Sequence, residues 1–292
     1  YTAMRADGGT DLVLLNLASG EVNTLYSCEN NFRCSRGNLS IDGSMVAFEQ
    51  TAAVRQEEQD TREVWVYDLE TQQAARISPP GHEASTSSWS VSGELAYHDQ
   101  TLEAAVVVDP RMGMEADPLH LIPATVDTGI EWLPDGSGLL MPQVFFDEGQ
   151  YEIVGVEDVP LFHSHIMFYD LDSDVVIDLS GDRDGLVEDS NPEYDPSGQW
   201  IAYTRKYLEP ERWTLGRQIW VMAADASEKR TVVNEPDFQH ASLVWSPDST
   251  KLVYTRFNQS DLIEDVDIWM VDLDTGAAEQ LVEGGYAPQW IP

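Results

Sequence analysis

A five-residue turn motif recurs along the chain and constrains its fold more than any other feature. The clearest copy is Trp245-Ser246-Pro247-Asp248-Ser249, in which Pro takes the first corner of the turn and small polar residues follow. Recurrence at a fixed period is typical of an architecture in which one small unit is built several times. The copies begin at Leu39, Trp89, Trp132, Tyr194, Trp245 and Trp290, which stand 43 to 62 residues apart.

The residues after each turn alternate between large apolar and smaller or polar side chains, as half-buried β-strands do. In the unit 243–282 the second strand is expected at Lys251–Arg256, the third at Asp267–Asp272 and the fourth at Ala278–Val282. The third strands of four units end in an aspartate. Because Asp side chains accept backbone hydrogen bonds in tight turns, these residues are expected to be structural. They are Asp68, Asp109, Asp170 and Asp272.

The two ends of the chain each supply part of one unit. Residues 2–5, 12–16 and 21–26 match the second, third and fourth strands, and a strand expected to end at Trp290 supplies the first. Four-stranded units that repeat radially describe a β-propeller. We therefore predict a single all-β domain over residues 1–292, a six-bladed β-propeller of four-stranded antiparallel blades. The blades are predicted at 1–27 with 286–292, 36–79, 86–123, 129–180, 191–233 and 242–283.

This repeat resembles the TolB-type, WD40-like propeller repeat. The resemblance is carried by the turn at Trp245 with the strand Ile268–Leu273 and by Trp132–Gly136, and it covers essentially the whole chain. It implies a propeller related to the Pal-binding TolB protein and to the propellers attached to prolyl-peptidase-like hydrolases. Neither activity is carried over, because the sequence shows no accompanying α/β domain and the repeats alone do not define a catalytic site.

Acidic side chains outnumber basic ones by 52 to 16, which gives a formal net charge of −36. Nucleic acids and anionic membrane surfaces are bound through Lys and Arg, so this composition argues against both classes of partner. No run of 18 apolar residues occurs, so no transmembrane segment is predicted. The acidity is open to four interpretations: a self-repelling soluble surface, a saline habitat, cation binding or a basic partner.

Cys28 and Cys34 are the two cysteines of the chain, and they stand in one polar stretch. Their closeness suits a small disulfide ring, and no histidine nearby completes a zinc site. Because disulfides form in oxidising compartments, the protein is expected to be extracytoplasmic, either periplasmic or secreted or at the cell surface. Tyr1 begins the sequence without an initiator Met or a signal-peptide pattern, so a processed or trimmed N-terminus is expected.

Long loops are expected on one side of the propeller. Connections from second to third strands are long at 49–62, 143–164, 206–216 and 257–265, and several connections between units carry extra polar residues. In an up-and-down blade both classes of loop emerge on the same side, which we call the long-loop face. Since loops on a rigid scaffold concentrate binding residues, partner-binding residues are predicted there. They are Arg55, Phe145, Phe146, Tyr151, Arg205, Arg212, Trp213 and Arg256.

The arginines of this set have two interpretations. In a chain this acidic they could anchor a carboxylate of a partner through bidentate hydrogen bonds, or they could pair locally with Asp and Glu.

Two groups of side chains are candidate metal ligands. His163 and His165 occupy alternate positions of an expected strand, so both rings face the same side. Asp182, Asp184 and Glu188 offer closely spaced oxygen ligands on a loop that contains a glycine, which is the chemistry of a Ca²⁺ site. The alternatives are two surface or capping histidines and a solvated acidic loop.

Three functional hypotheses follow from the sequence. The leading one is a non-enzymatic, extracytoplasmic propeller that binds a protein or peptide through the long-loop face, as a candidate subunit of a larger envelope or surface assembly. The sequence has no Gly-x-Ser-x-Gly elbow, no His-Glu-x-x-His motif and no glycine-rich phosphate loop. The second hypothesis is a metal-assisted lyase or hydrolase that acts on a glycan or small ester at the channel mouth. The third is a purely structural module of a multidomain protein.

Overall fold

The computed structural model describes residues 1–29, 31–52, 61–113, 117–124, 129–146, 162–173, 175–181, 186–260 and 266–290. Within these ranges the chain forms β-strands joined by tight turns, with one 3-10 turn at Pro110–Met112 and no α-helix. The strands build sheets around a central channel. The protein is therefore an all-β propeller, and this part of the predicted fold class is confirmed.

One sheet joins the two end regions of the chain. Its strands are β1 (Thr2–Met4), β2 (Thr10–Leu15), β3 (Val22–Ser27) and β24 (Gly285–Tyr286). They lie in the order β24, β1, β2, β3, with Tyr286 opposite Thr2. The strand predicted to end at Trp290 is shorter than expected, because residues 287–290 run along the channel without joining a strand.

Three further sheets have four antiparallel strands each, in sequence order from the channel outward. The first contains β4 (Phe32–Leu39), β5 (Met45–Ala52), β6 (Glu63–Asp68) and β7 (Gln73–Arg76). The second contains β8 (Ala84–Trp89), β9 (Leu95–Asp99), β10 (Ala104–Val108) and β11 (His120–Pro123). The third contains β20 (Phe238–Trp245), β21 (Lys251–Asn258), β22 (Asp267–Asp272) and β23 (Ala278–Val282).

The remaining strands form one eight-stranded sheet made of two antiparallel runs. The first run is β12 (Glu131–Trp132), β13 (Gly138–Phe146), β14 (Phe162–Asp170) and β15 (Val176–Asp178). The second is β16 (Val187–Tyr194), β17 (Trp200–Tyr207), β18 (Gln218–Ala223) and β19 (Arg230–Val233). A single parallel pair, Ser164 with Glu188, joins β14 to β16 and so links the two runs.

Buried tryptophans pack between neighbouring sheets. Trp89, Trp132 and Trp245 are nearly inaccessible to solvent. Each indole N–H donates to a backbone carbonyl of the preceding channel-lining segment, at 2.9, 3.1 and 3.0 Å respectively. The recurrent tryptophan is therefore both an apolar filler and a polar link between adjacent units, because a buried indole N–H needs a partner.

The recurring aspartates stabilise turns, as the sequence predicts. Asp68 and Asp170 each accept two backbone N–H groups of the turn that follows, and Asp272 accepts from the backbone and hydroxyl of Thr275. Asp109 accepts from the backbone N–H of Arg111 in the 3-10 turn. These carboxylates are used by the fold, which is consistent with their recurrence.

The predicted disulfide between Cys28 and Cys34 is present, and both residues are buried. It closes a small ring at the connection between β3 and β4. Thr10 joins the same region, since its hydroxyl donates to the carbonyl of Cys34 at 2.8 Å. No helix within the described ranges is long and apolar enough to cross a membrane.

Candidate functional site

The central channel is a cavity of about 470 Å³. Its wall is made by the inner parts of the sheets, and one residue in each lining stretch has a left-handed φ, between 39° and 120°. These residues, which often mark a bulge in the strand, are Arg36, Thr86, Gly129, Asn191, Ser242 and Ala287. The lining stretches, called inner segments below, are 36–41, 86–91, 129–134, 191–196, 242–245 and 287–290.

The residue before each recurring aromatic or Leu contributes to a belt around this channel, called the channel ring. The ring is partly joined by hydrogen bonds: Gln289 Nε2 donates to Asn38 Oδ1 at 2.6 Å, and Ser88 Oγ donates to Glu131 Oε2 at 3.0 Å. Asn38 Nδ2 also donates to the carbonyl of Ser87 on the next inner segment, at 2.8 Å. The members of the channel ring are Asn38, Ser88, Glu131, Glu193, Val244 and Gln289.

Two acids of the channel ring stand on neighbouring inner segments that approach closely. A Cβ atom at Gly129 would lie 3.1 Å from the Cα of Asn191, so no larger residue fits there without displacing the neighbour. Burial raises the pKa of Glu131 to about 8, although the hydrogen bond from Ser88 opposes the shift. Burial and repulsion from Glu131 raise the pKa of Glu193 well above its usual value. The pair therefore retains protons at pH values where exposed carboxyls have lost them.

Replacing Glu131 by Gln should remove a pH dependence of stability. The folded pKa of about 8 lies above the ordinary value of 4.5, so the folded state binds a proton that the unfolded state releases. The free energy of unfolding of the wild-type protein should therefore fall as pH rises from 4.5 to about 8. Relative to wild type, Glu131→Gln should be more stable by on the order of 2 kcal/mol near pH 9 and little changed near pH 5.

Thermal unfolding at several pH values measures this effect. Glu279→Gln, an exposed position on β23, is the matched control and should behave like the wild type. A Glu131→Gln variant whose stability relative to wild type is the same at acidic and alkaline pH would contradict the raised pKa of this half-buried carboxyl.

An aromatic patch lies on the long-loop face. Phe146 and Phe162 face each other at the outer end of the β13–β14 pair and are 68% and 45% exposed, while Trp213 is 51% exposed. Phe145 lies beside them in β13 and packs against the rings of His163 and His165. We call the group Phe145, Phe146, Phe162 and Trp213 the aromatic sector.

Strand pairing places the members of the aromatic sector in one region. The parallel pair of Ser164 and Glu188 brings the start of β14 beside the start of β16. β16 in turn pairs with the end of β17, where Tyr207 forms a bridge with Trp213. The sector therefore spans the boundary between the two runs of the eight-stranded sheet.

Arg205 does not serve as the exposed anchor predicted from the sequence. Its side chain is only 2% exposed, and Nε and Nη2 each lie 2.7 Å from a carboxylate oxygen of Asp189, which is fully buried. Asp189 stands directly opposite Arg205 in the β16–β17 register, which explains the pairing. This guanidinium cannot contact an external partner directly, so the prediction is corrected.

The other predicted arginines differ in how far they are accessible. Arg212 is 40% exposed, stacks over Tyr207 at 3.8 Å from the ring centroid and pairs with Glu209 at 3.0 Å. Arg256 is held between the rings of Phe238 and Trp269. Both arginines pair with a neighbouring acid, which is the second of the two interpretations given above. The side chain of Arg212 is still accessible to solvent. The predicted positions Arg55 and Tyr151 lie outside the described residues.

Arg256 also forms a bidentate pair with Glu235, at 2.8 and 3.1 Å. The pKa of Glu235 is lowered to about 2, chiefly by His240 and then by Arg256. This carboxylate therefore stays ionised through the neutral range and holds Arg256 in place.

The candidate metal ligands are only partly brought together. The rings of His163 and His165 lie 5.1 Å apart, and Nδ1 of His165 is 2.8 Å from Asp178 Oδ2. Glu188 pairs with Arg217 at 2.7 Å. No group of three or more His, Cys, Asp or Glu suited to a metal ion occurs among the described residues. Asp182 and Asp184 lie outside them.

Sequence reasoning missed the channel ring, although a signal for it was present. Aligning the repeats on the recurring aromatic or Leu places one variable residue before it in every copy. Five of the six are polar, which is unexpected for a strand buried on both faces. The residue at this position of each repeat can face the channel.

The sheets arranged around a channel show that the fold is a β-propeller. Comparison with known proteins shows which type of β-propeller the chain resembles. No protein-family profile matches the chain, and no curated protein matches it. A putative TolB from Agrobacterium tumefaciens superposes with a TM-score of 0.64 and 18% identity, over 94% of this chain and 90% of that one. The fold is that of a TolB-type β-propeller.

Two other solved structures have a similar fold. TolB from Acinetobacter baumannii has a TM-score of 0.69 and 14% identity over 99% of this chain, which spans 65% of that protein. An oligogalacturonate lyase in complex with manganese has a TM-score of 0.55 and 17% identity, over 93% of this chain and 72% of the lyase. At these low sequence identities the comparison shows a shared fold.

Proposed function

We propose that this protein is a non-enzymatic propeller that binds a protein or peptide partner through the aromatic sector of its long-loop face. The observation that carries the proposal is the group of exposed aromatic rings, Phe146, Phe162 and Trp213, at the boundary of two sheet runs. Large rings exposed together are costly in water unless they are covered by a partner. Aromatic residues and Arg are also the side chains enriched at binding interfaces.

The surroundings of Trp213 suit such an interface. Lys206 lies over its ring at 4.8 Å, and Arg212 stands beside it on Tyr207. Two cations next to a large ring are unusual in a protein with a formal charge of −36. The partner surface proposed here is therefore apolar at its centre, with acidic groups opposite Lys206 and Arg212.

We also propose that the propeller has six blades and works outside the cytoplasm, as a subunit of a larger envelope or surface assembly. The blade count treats each run of the eight-stranded sheet as one blade, since a single parallel pair joins them. Six inner segments with a left-handed residue support it. The Cys28–Cys34 disulfide and the TolB-type fold support an extracytoplasmic location.

The proposal is tested with the variant Trp213→Ala/Phe162→Ala. An interface centred on these rings should lose roughly thirtyfold or more in partner recovery, since removing central aromatic residues typically costs 2 kcal/mol or more. The measurement is quantitative pull-down from an extract of the source organism, followed by titration of the recovered protein after purification.

Ile41→Ala is the matched control for this experiment. Ile41 is 70% exposed, but it lies in the short turn between β4 and β5, on the opposite face. Recovery should be unchanged in this variant. Equal recovery by wild type and by Trp213→Ala/Phe162→Ala would overturn the proposed surface.

A metal-assisted lyase or hydrolase is the second candidate function. It is favoured by the two imidazoles of His163 and His165 on one strand face, and by the fold shared with a lyase described in complex with manganese. Metal analysis of the purified protein, together with thermal shifts on adding Mn²⁺, Zn²⁺ or Ca²⁺, separates the two candidates. Stoichiometric metal that is lost in His163→Ala would favour the enzyme.

A further inference from the structure

Two tripeptides of the chain have the form Asn-x-Ser with a residue other than proline in the middle. They are Asn38-Leu39-Ser40 and Asn258-Gln259-Ser260. In exported proteins, the asparagine of such a tripeptide accepts a glycan on its side-chain amide when it lies at the surface. The tripeptide alone does not make an acceptor, because the amide and the hydroxyl must both be accessible. The surroundings of these two groups therefore decide between the two copies.

The first tripeptide is used by the fold. Asn38 lines the channel, where its Nδ2 donates to the carbonyl of Ser87 at 2.8 Å and its Oδ1 accepts from Gln289 at 2.6 Å. Ser40 is only 5% exposed, and its hydroxyl donates to Asp42 at 2.7 Å. A sugar on Asn38 would break the hydrogen bonds that join neighbouring inner segments. This copy is therefore excluded as an acceptor in the folded protein.

The second tripeptide lies where a strand pair ends on the long-loop face. Asn258 is the last residue of β21 and stands opposite Phe238, the first residue of β20. Asn258 is half-buried, and Ser260 is exposed. The side-chain Oδ1 of Asn258 accepts from the backbone N–H of Ser260 at 2.9 Å, so the tripeptide forms a turn closed by its own asparagine.

The fold does not use the groups that a glycan transfer requires. Among the residues that the structure describes, no group accepts a hydrogen bond from Nδ2 of Asn258, and none is bonded to the hydroxyl of Ser260. The turn uses Oδ1 of the amide and leaves its nitrogen, the atom to which a sugar is attached. The two copies thus differ in both groups, although their sequence pattern is the same.

We propose that Asn258 is the acceptor of an N-linked glycan. In the transfer, Nδ2 forms a bond to C1 of the first sugar of a lipid-linked oligosaccharide phosphate. The bond from C1 to the phosphate oxygen breaks, the phosphate leaves with the electron pair, and one proton of Nδ2 passes to a base of the transferring enzyme. The site rests on the extracytoplasmic location proposed above and is independent of the aromatic sector.

Mass spectrometry of the protein purified from the source organism tests the proposal. Trypsin releases Asn258 in a peptide that begins at Phe257 and Asn38 in a peptide that begins at Gly37, so the two copies are measured separately. We expect the Asn258 peptide to carry the added mass of a glycan and the Asn38 peptide to carry none. The added mass should be lost completely in Asn258→Gln.

Variants of Ser260 provide the matched controls. Ser260→Ala removes the hydroxyl but keeps the backbone N–H that closes the turn, and it should lose the glycan. Ser260→Thr keeps a hydroxyl and should retain the glycan. An unmodified Asn258 in the wild-type protein, or a glycan that persists in Ser260→Ala, would overturn the proposal.

The state of Cys28 and Cys34 in the same sample tests the location separately. Free thiols would contradict the extracytoplasmic location on which the site rests. A disulfide found together with an unmodified Asn258 would overturn the glycan site and leave the location standing.

Discussion

Replacing Trp245 by alanine is expected to lower the free energy of unfolding by about 3–5 kcal/mol. The indole is 5% exposed and packs with Leu252, Tyr254 and Val271 between two neighbouring sheets. Its N–H donates to the carbonyl of Glu193 at 3.0 Å. The substitution removes the apolar filler and leaves that carbonyl without its donor, so the packing loss and the lost hydrogen bond add in the same direction.

Chemical denaturation of the two purified proteins measures this loss. Trp213→Ala is the control, because it deletes the same side chain from a position that is 51% exposed. It should change stability by less than about 1 kcal/mol. Similar losses in the two variants would show that Trp245 is not a core residue, and the account of how the sheets are held together would be wrong.

Replacing Arg205 by methionine should cost about 3–5 kcal/mol, because it leaves the carboxylate of Asp189 buried without a counterion. Both side chains are almost completely enclosed, and the pair makes two hydrogen bonds of 2.7 Å. Burial alone raises the pKa of Asp189, and the pairing with Arg205 opposes that shift. Without Arg205 the buried carboxyl must take up a proton or remain charged without its counterion, and either outcome destabilises the fold.

A double variant separates the cost of the unpaired acid from the loss of packing. Arg205→Met/Asp189→Leu removes both charges, and well-packed apolar replacements of buried ion pairs are often close to neutral. The double variant should therefore recover most of the stability lost in Arg205→Met. A double variant as unstable as the sum of the two single substitutions would contradict this interpretation.

The fold could be predicted from local chemistry that repeats. The turn at Pro247 and Asp248 has a defined geometry, and its hydrogen bonds in the structure are those that the residue types imply. Trp89, Trp132 and Trp245 occupy the same place in three units, so their burial could be inferred from recurrence alone. The ends of the strands are harder to predict from the sequence. The last strand, for example, pairs with β1 only through Gly285 and Tyr286.

The environment of single side chains could not be predicted, because it depends on pairing between distant strands. From the sequence, Arg205 is expected at the end of a strand on the long-loop face, which predicts exposure, but β17 continues to Tyr207. Its burial follows from the cross-strand position of Asp189, and that register is fixed only once the bulge in β16 is known. The relative position of Glu131 and Glu193 likewise depends on how the two runs of the eight-stranded sheet are joined, since the residues belong to different inner segments.

Site-specific photo-crosslinking in the source organism tests directly whether the long-loop face binds a partner. A photoreactive phenylalanine analogue is placed at Trp213 or at Phe162, and, as a control, at Ile41 on the opposite face. One discrete crosslinked product, containing the same partner protein, is expected from positions 213 and 162 and none from position 41. Absence of a product at both aromatic positions, or the same product from position 41, would contradict it.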